Sequence, residues 1–337
     1  MFKELLIWVR ERFAAFFAFF RAKLRVLWHW FTGWISSVSG GTWRRVLIAI
    51  PLVFFFYILI GMMFVNRIDD NLSPAVAPPP GGSNAVSLMA YLVNRETVEH
   101  NWTPNDPVFL PGWWVDNTPA FQKGMFGAFS RFSLELRDQL GRSRGSSAVD
   151  ADLEKAAGNL AIEPERWVIE SWLPTKASDH FYRDAAKDFI TYNNRVSSGD
   201  AVFERRADNL RMTLERIASD LGASSAKIEK YIGDNAGGFV PDFGVDNVFY
   251  EVKGQVYAYT LLLKSLRVDF ASVVEDRELA KVYDELLRSL EAAAVLNPTV
   301  VTNGAVDGIV ANHLSIQGFY LLRARTQLKE VTNILLN

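Results

Sequence analysis

Apolar and polar positions alternate in three different ways along the 337 residues of the chain. From Val46 to Val65 it reads VLIAIPLVFFFYILIGMMFV, a run without one charged residue. At helical rise, such a run is long enough to cross the hydrocarbon core of a bilayer. The buried helix of a soluble protein would carry a strongly polar residue on some turn, and here the first is Asn66. Pro51 falls in the first two turns, where the loss of its backbone hydrogen bond is tolerated. Residues 46–65 are therefore expected to form one transmembrane helix.

Residues 1–45 show a second regime, dense in aromatics and basic side chains. On a helical wheel Lys3, Glu4, Arg10, Glu11, Arg21 and Arg25 gather within about a third of the circumference, leaving a broad apolar face. Arg12 and Lys23 fall off that arc. Trp8, Trp28, Trp30 and Trp34, with the intervening phenylalanines, suit an amphipathic helix lying in the headgroup layer of the cytoplasmic leaflet. A helical hairpin packed on the spans of other subunits would use the same residues. After the span, residues 66–83 form a linker whose SPAVAPPPGGS stretch predicts a partly stiff, hydrogen-bond-free spacer holding the next domain off the membrane.

From Asn84 the apolar period becomes helical, with helix punctuation. Helices are expected over Asn84 to Glu99, over Thr118 to about Leu140, over Asp150 to Leu160, from Glu163-Pro164 to Ser171, and over Ser178 to about Arg195. Ala201 to Leu221 follows, with Gly222 as its stop, and then a short helix over Ser225 to Ile232. Asn247 to Val274, Arg277 to Leu296 behind an Asp276 cap, and Ala311 to about Leu336 complete the set. Only PTVVT at 298–302 resembles a strand, and it is too isolated to seed a sheet. The expected fold is all-α: an N-terminal amphipathic helix at 1–45, a transmembrane helix at 46–65, a proline-rich spacer at 66–83 and a multi-helix periplasmic domain at 84–337, undivided or in two subdomains.

Charge orients this arrangement. Residues 1–45 hold eight basic and two acidic side chains, so the formal net charge of −2 hides a basic start and an acidic remainder. Arg44 and Arg45 adjoin one end of the run, whereas the other end offers Arg67 followed by Asp69 and Asp70. The excess of arginine on one side places the N-terminus in the cytoplasm and the large domain outside. An acidic domain without a dense basic face makes nucleic acid an unsuitable partner. The absence of cysteine excludes disulfides, thiol nucleophiles and thiolate metal sites.

Chemistry-bearing motifs are scarce. There is no HExxH, no SxxK pair suited to a penicillin-binding site, and no P-loop or GxGxxG; GRSRG at 141–145 spells GxSxG but lies in an expected loop after a helix, not on the strand-to-helix turn an elbow needs. His180, flanked by Asp179 and followed a turn later by Asp184, is the best-placed of four histidines, yet a metal would need His100, His180 and His313 to converge from distant segments. Glu163, Glu165 and Glu170 complement a helix start more simply than they make an acid–base pair. The loop at 233–247 holds calcium-friendly oxygens at Asp234, Asn235, Asp242, Asp246 and Asn247, without EF-hand spacing. No metal or cofactor is expected. The most unusual segment is NWTPNDPVFLPGWWVDN at 101–117. Its Trp102, Trp113 and Trp114 interleave with Asp116 and Asn117, a mixture suited to stacking on a sugar or lipid headgroup, to a subunit interface, or to a plug pinning the loop on the core.

The stretches WWVDNTPAFQ and GRSRGSS, behind a basic aromatic start, one span and a proline spacer, resemble an uncharacterised family of single-span proteobacterial inner-membrane proteins, a domain of unknown function. The resemblance covers residues from about 46 onward and implies a bacterial inner-membrane location without implying an activity. The expectation is a non-enzymatic envelope protein that contacts the lipid bilayer and associates with itself or with other inner-membrane proteins. The alternative is a periplasmic binding or hydrolytic module acting on cell-wall sugar or lipid through the 101–117 loop.

Overall fold

The computed structural model describes residues 41–142, 148–170, 173–235, 244–304 and 310–336, together with Arg25, His29, Thr32 and Gly33. Trp8, Arg10, Arg21, Trp28, Trp30 and Trp34 lie outside the described residues, and with them most of the expected amphipathic helix. Among the described residues there are ten α-helices and one two-residue hairpin, so the all-α expectation holds. The chain divides into two compact units, Met1–Ile60 and Gly61–Asn337.

Helix α1, Gly41–Val65, contains the apolar run and is the one described helix long and apolar enough to cross a membrane. It starts ahead of the run, so Arg44 and Arg45 sit on its first turn and a half, both exposed. Most of its side chains beyond them are exposed, with Val53 at 66% and Phe55 at 58%, while Ile58 is buried.

The second unit is built around α7, Val245–Asp269. Every residue from Val252 to Leu263 is buried, which requires neighbours on all sides. Those neighbours are α2 (Asn84–Asn94), α3 (Asn117–Glu135), α6 (Ala207–Asp234) and α9 (Ala280–Ala294). The α3–α7 crossing is the tightest. A Cβ on Gly124 would strike the Glu251 carbonyl, and one on Gly254 the Phe121 carbonyl, so the two backbones meet glycine to backbone on both sides. Around this centre α4 (Ala151–Leu160) packs on α5 (Ser178–Ser198), and α10 (His313–Leu336) lies across α6 and α9. The short α8, Ala271–Asp276, follows α7 after a break at Phe270.

Several boundaries differ from expectation for visible reasons. Gly222 does not stop its helix: α6 runs through it to Asp234, and the missing side chain makes room for the Arg325 guanidinium of α10. Glu163-Pro164 opens no helix, because the Pro164 carbonyl accepts from the Trp102 indole at 3.0 Å and the Ser178 hydroxyl at 2.8 Å. The chain there continues into the hairpin β1 (Ile169–Glu170) and β2 (Leu173–Pro174). Asp276 caps no helix, since Glu278 turns the chain through the left-handed region at φ 51° before α9 begins at Ala280. By contrast Asp150 does cap α4, accepting from the amides of Asp152 and Leu153 at 3.0 and 3.4 Å. Residues 298–302 form no strand; their one ladder neighbour is the isolated bridge Asn303–Asn312.

Candidate functional site

The aromatic loop divides into a buried half and an exposed half. Trp102 is 5% exposed, packed against Phe126 and Tyr182 with ring centroids 4.4 and 5.0 Å away. It is the plug that pins the loop to the core. Thr103 reinforces it, donating through both its amide and its hydroxyl to Gln122 Oε1 of α3. Beyond Leu110, the single 3-10 turn Pro111–Trp114 lifts the next two tryptophans outward. Trp113 and Trp114 are 54% and 47% exposed, stacked edge to face at 5.0 Å, and the Trp114 indole N–H donates to the Val108 carbonyl at 2.8 Å. Asp116 is exposed and Asn117 opens α3. The five predicted loop residues thus form no single site: four stand near the surface and Trp102 does not join them.

His180 is engaged along its own helix instead. Its Nε2 lies 3.3 Å from Asp184 on the exposed side of α5, an ordinary i,i+4 pair. Glu165 pairs with Lys123 at 3.0 Å. His313 Nδ1 accepts from the Thr302 amide at 3.0 Å. Among the described residues no three histidine or acidic side chains converge as metal ligands, and Asp242 of the suggested calcium loop lies outside them. A groove of about 350 Å³ runs between the linker, α2 and α5, lined by Val76, Pro79, Tyr91, Phe189 and Asn193, without an acid–base pair. A smaller one holds Ser224, hydrogen-bonded to Gln255, and Lys227, paired with Glu251 at 2.6 Å, so neither side chain is poised as a nucleophile or base.

The strongest electrostatic feature is one that charge counting along the sequence missed. The acids just past α1 are seated on buried cations. Asp69 lies 3.1 Å from Arg95, whose side chain is 2% exposed, and Asp70 lies 2.7 Å from Lys253, 1% exposed. Arg95 also reaches Glu96 at 2.9 Å and the Tyr257 hydroxyl at 3.0 Å. Burial alone would raise the Glu96 carboxyl, but hydrogen bonding to His100 and the Arg95 charge hold it below its usual range. His100 is correspondingly raised, first by its hydrogen bond to Glu96. The linker then continues along α7: the Asn71 carbonyl accepts from Tyr257 at 3.0 Å, the Leu72 carbonyl from Lys264 at 2.9 Å, and Ser83 and Asn84 bond the Asp269 carboxylate at 2.7 Å. The expected hydrogen-bond-free spacer is therefore fastened to the domain, because its acids meet the buried Arg95, just past α2, and the buried Lys253 of α7, and its carbonyls meet Tyr257 and Lys264. A lone Lys253 inside VKGQVYAYTLLL was the sequence signal for such a partner.

These features define an all-α protein with, among the described residues, one helix of membrane-spanning length and a helical body to which its linker is welded. The chain belongs to the family described as uncharacterized protein conserved in bacteria (DUF2333), whose model matches residues 84–237 and 240–337. No curated protein and no solved structure matches it.

Proposed function

We propose that the protein is a non-catalytic, membrane-anchored component of the bacterial envelope. In this reading α1 spans the inner membrane with Arg44 and Arg45 on the cytoplasmic side, and the helical domain stands in the periplasm as a scaffold for its own copies or for other inner-membrane proteins. The observation that carries it is α1 itself: a continuous apolar helix, arginines at its start, most of whose side chains are left uncovered by the chain's own fold. Membership in a bacterial family supports the cellular setting. The linker supports a scaffold role, since Asp69 and Asp70 hold the segment after the helix to Arg95, just past α2, and to Lys253 of α7 rather than leaving the domain on a loose leash.

Carbonate extraction should leave the full chain in the membrane pellet, and a phosphatase reporter fused after Asn337 should be active in the periplasm. Release by carbonate, or activity of a cytosol-only reporter, overturns the anchoring reading. Crosslinking in native membranes should give discrete species larger than one chain; a strictly monomeric chain without partners overturns the scaffold reading.

A further inference from the structure

The aromatic loop and the last turn of α1 touch. Gly61 lies four residues before the helix ends at Val65, and a Cβ placed on it would run into the Pro111 ring. One residue past the helix, the Thr118 hydroxyl donates to Asn66 Oδ1 at 3.2 Å. The turn Pro111–Trp114 is thus flanked by two contacts with residues 61–66, one at Pro111 about 6 Å before the helix end by helical rise and one at Thr118 just past it.

At that level the exposed side chains are large and apolar. Val108, Phe109, Trp113 and Trp114 each leave about half of their surface uncovered. Phe109 stacks on Trp167 at 6.1 Å, which carries the patch to Val168 and Ile169 at the hairpin. Soluble surfaces seldom gather so many such residues in one place. Aromatics concentrated where an apolar helix ends are the pattern of a headgroup-layer belt.

We propose that this patch is immersed in the headgroup layer of the leaflet at the C-terminal end of α1, so that the domain rests on the bilayer. The proposal rests on α1 spanning the membrane. Its occupant is lipid, because the helix end beside which the patch is fixed is itself ringed by lipid. The Trp114 N–H is already satisfied by the Val108 carbonyl, so its ring can enter an apolar layer without an orphan donor. The fastened linker removes the slack that would let the domain float away.

The chain contains no cysteine, which permits single labels. Nitroxides on Phe109→Cys, Trp113→Cys and Ile169→Cys in the full chain, in nanodiscs of phosphatidylethanolamine and phosphatidylglycerol, are tested for collision with oxygen and with a water-soluble nickel chelate. Val268→Cys, 59% exposed at the far end of α7 from Lys253, serves as the comparison, and Ile50→Cys reports on α1. The expected result is a several-fold higher oxygen-to-nickel ratio at the three patch sites than at 268. Nickel access equal to that at 268 overturns the proposal, as does shielding from both reagents, which would mean a protein covers the patch. If Ile50 sits in lipid while the patch sits in water, only this proposal fails; if Ile50 is also in water, the membrane reading fails with it. Should a labelled variant not fold, quenching of native tryptophan fluorescence by shallow-brominated lipid replaces it. Quenching should drop in the Trp113→Phe, Trp114→Phe double variant, and an unchanged value overturns the proposal.

Discussion

Asp70→Ala and Lys253→Met abolish the same ion pair, yet the structure requires them to cost very different amounts. Lys253 is 1% exposed and Asp70 is 35% exposed, with 2.7 Å between their charged atoms. Removing the carboxylate strands an ammonium in the core, and stranding a fully buried charge costs about 3–5 kcal/mol. The space vacated at the half-open Asp70 position admits some water, so about 2–3 kcal/mol is expected for Asp70→Ala. Removing the ammonium instead leaves a carboxylate that solvent reaches, while methionine fills the apolar volume between α7 and its neighbours, and the loss should stay under about 1 kcal/mol. The double variant should resemble Lys253→Met, giving a coupling of about 2 kcal/mol. The assay is thermal unfolding of the full chain in detergent, followed by far-ultraviolet circular dichroism. For a domain of this size Asp70→Ala should lower Tm by roughly 4–8 °C. Equal losses for the two single variants, or a loss below about 0.5 kcal/mol for Asp70→Ala, would refute the burial asymmetry from which the figures come.

Other consequences are as direct. Gly254→Ala forces a methyl into the Phe121 carbonyl and should destabilise by about 3 kcal/mol or prevent folding, whereas Gly158→Ala, with open space around it in α4, should stabilise by about 1 kcal/mol in the same melt. Burial lifts the Asp106 carboxyl to about 6, against the Gly112 amide that favours its charge. A raised acid binds its proton more tightly in the folded state, so this group lowers stability above pH 6 and the loss fades as pH falls toward its ordinary value near 4. Asp106→Asn should therefore stabilise at pH 7.5 by about 1 kcal/mol, since the half-buried group keeps part of its solvent, and leave stability unchanged at pH 4. His100 has the opposite sense: raised by Glu96, its contribution is complete below its ordinary value near 6.5 and is lost as pH rises through the folded value. The stability difference between wild type and His100→Gln should accordingly shrink from pH 6 toward alkaline pH, and a constant difference would show that the Glu96 contact is not what holds the proton.

The fold class was legible because its signals are local. An uncharged run of helical length, an Asp150 cap and apolar spacing along Phe121, Met125, Phe129 and Phe132 need no knowledge of distant residues. Gly222 misled because a glycine reads the same whether it ends a helix or clears space for a neighbour. The buried series Leu210, Leu214, Ile217, Leu221, Ser224 and Ile228 passes straight through it at helical spacing and was the better guide. The candidate site was harder for the same reason in reverse. Trp102 and Trp113 look alike in sequence, and what separates them is the Pro164 carbonyl that meets one indole and the Gly61 surface that lies beside the turn carrying the other. Asp69 and Asp70 were legible only as bare charges past the apolar run, because Arg95 and Lys253, their partners, are contributed by helices 26 and 183 residues away.

The route of the linker has a mechanical corollary. Its fastenings follow α7 in order, from Lys253 through Tyr257 and Lys264 to Asp269, over about 24 Å of helix. A strap pulled crosswise peels away stitch by stitch, but one pulled along the line of its stitches must slide as a whole. Tension applied to the chain ahead of Asp69 is therefore divided among several bonds acting in shear, and the helical body is hauled along before any one of them parts.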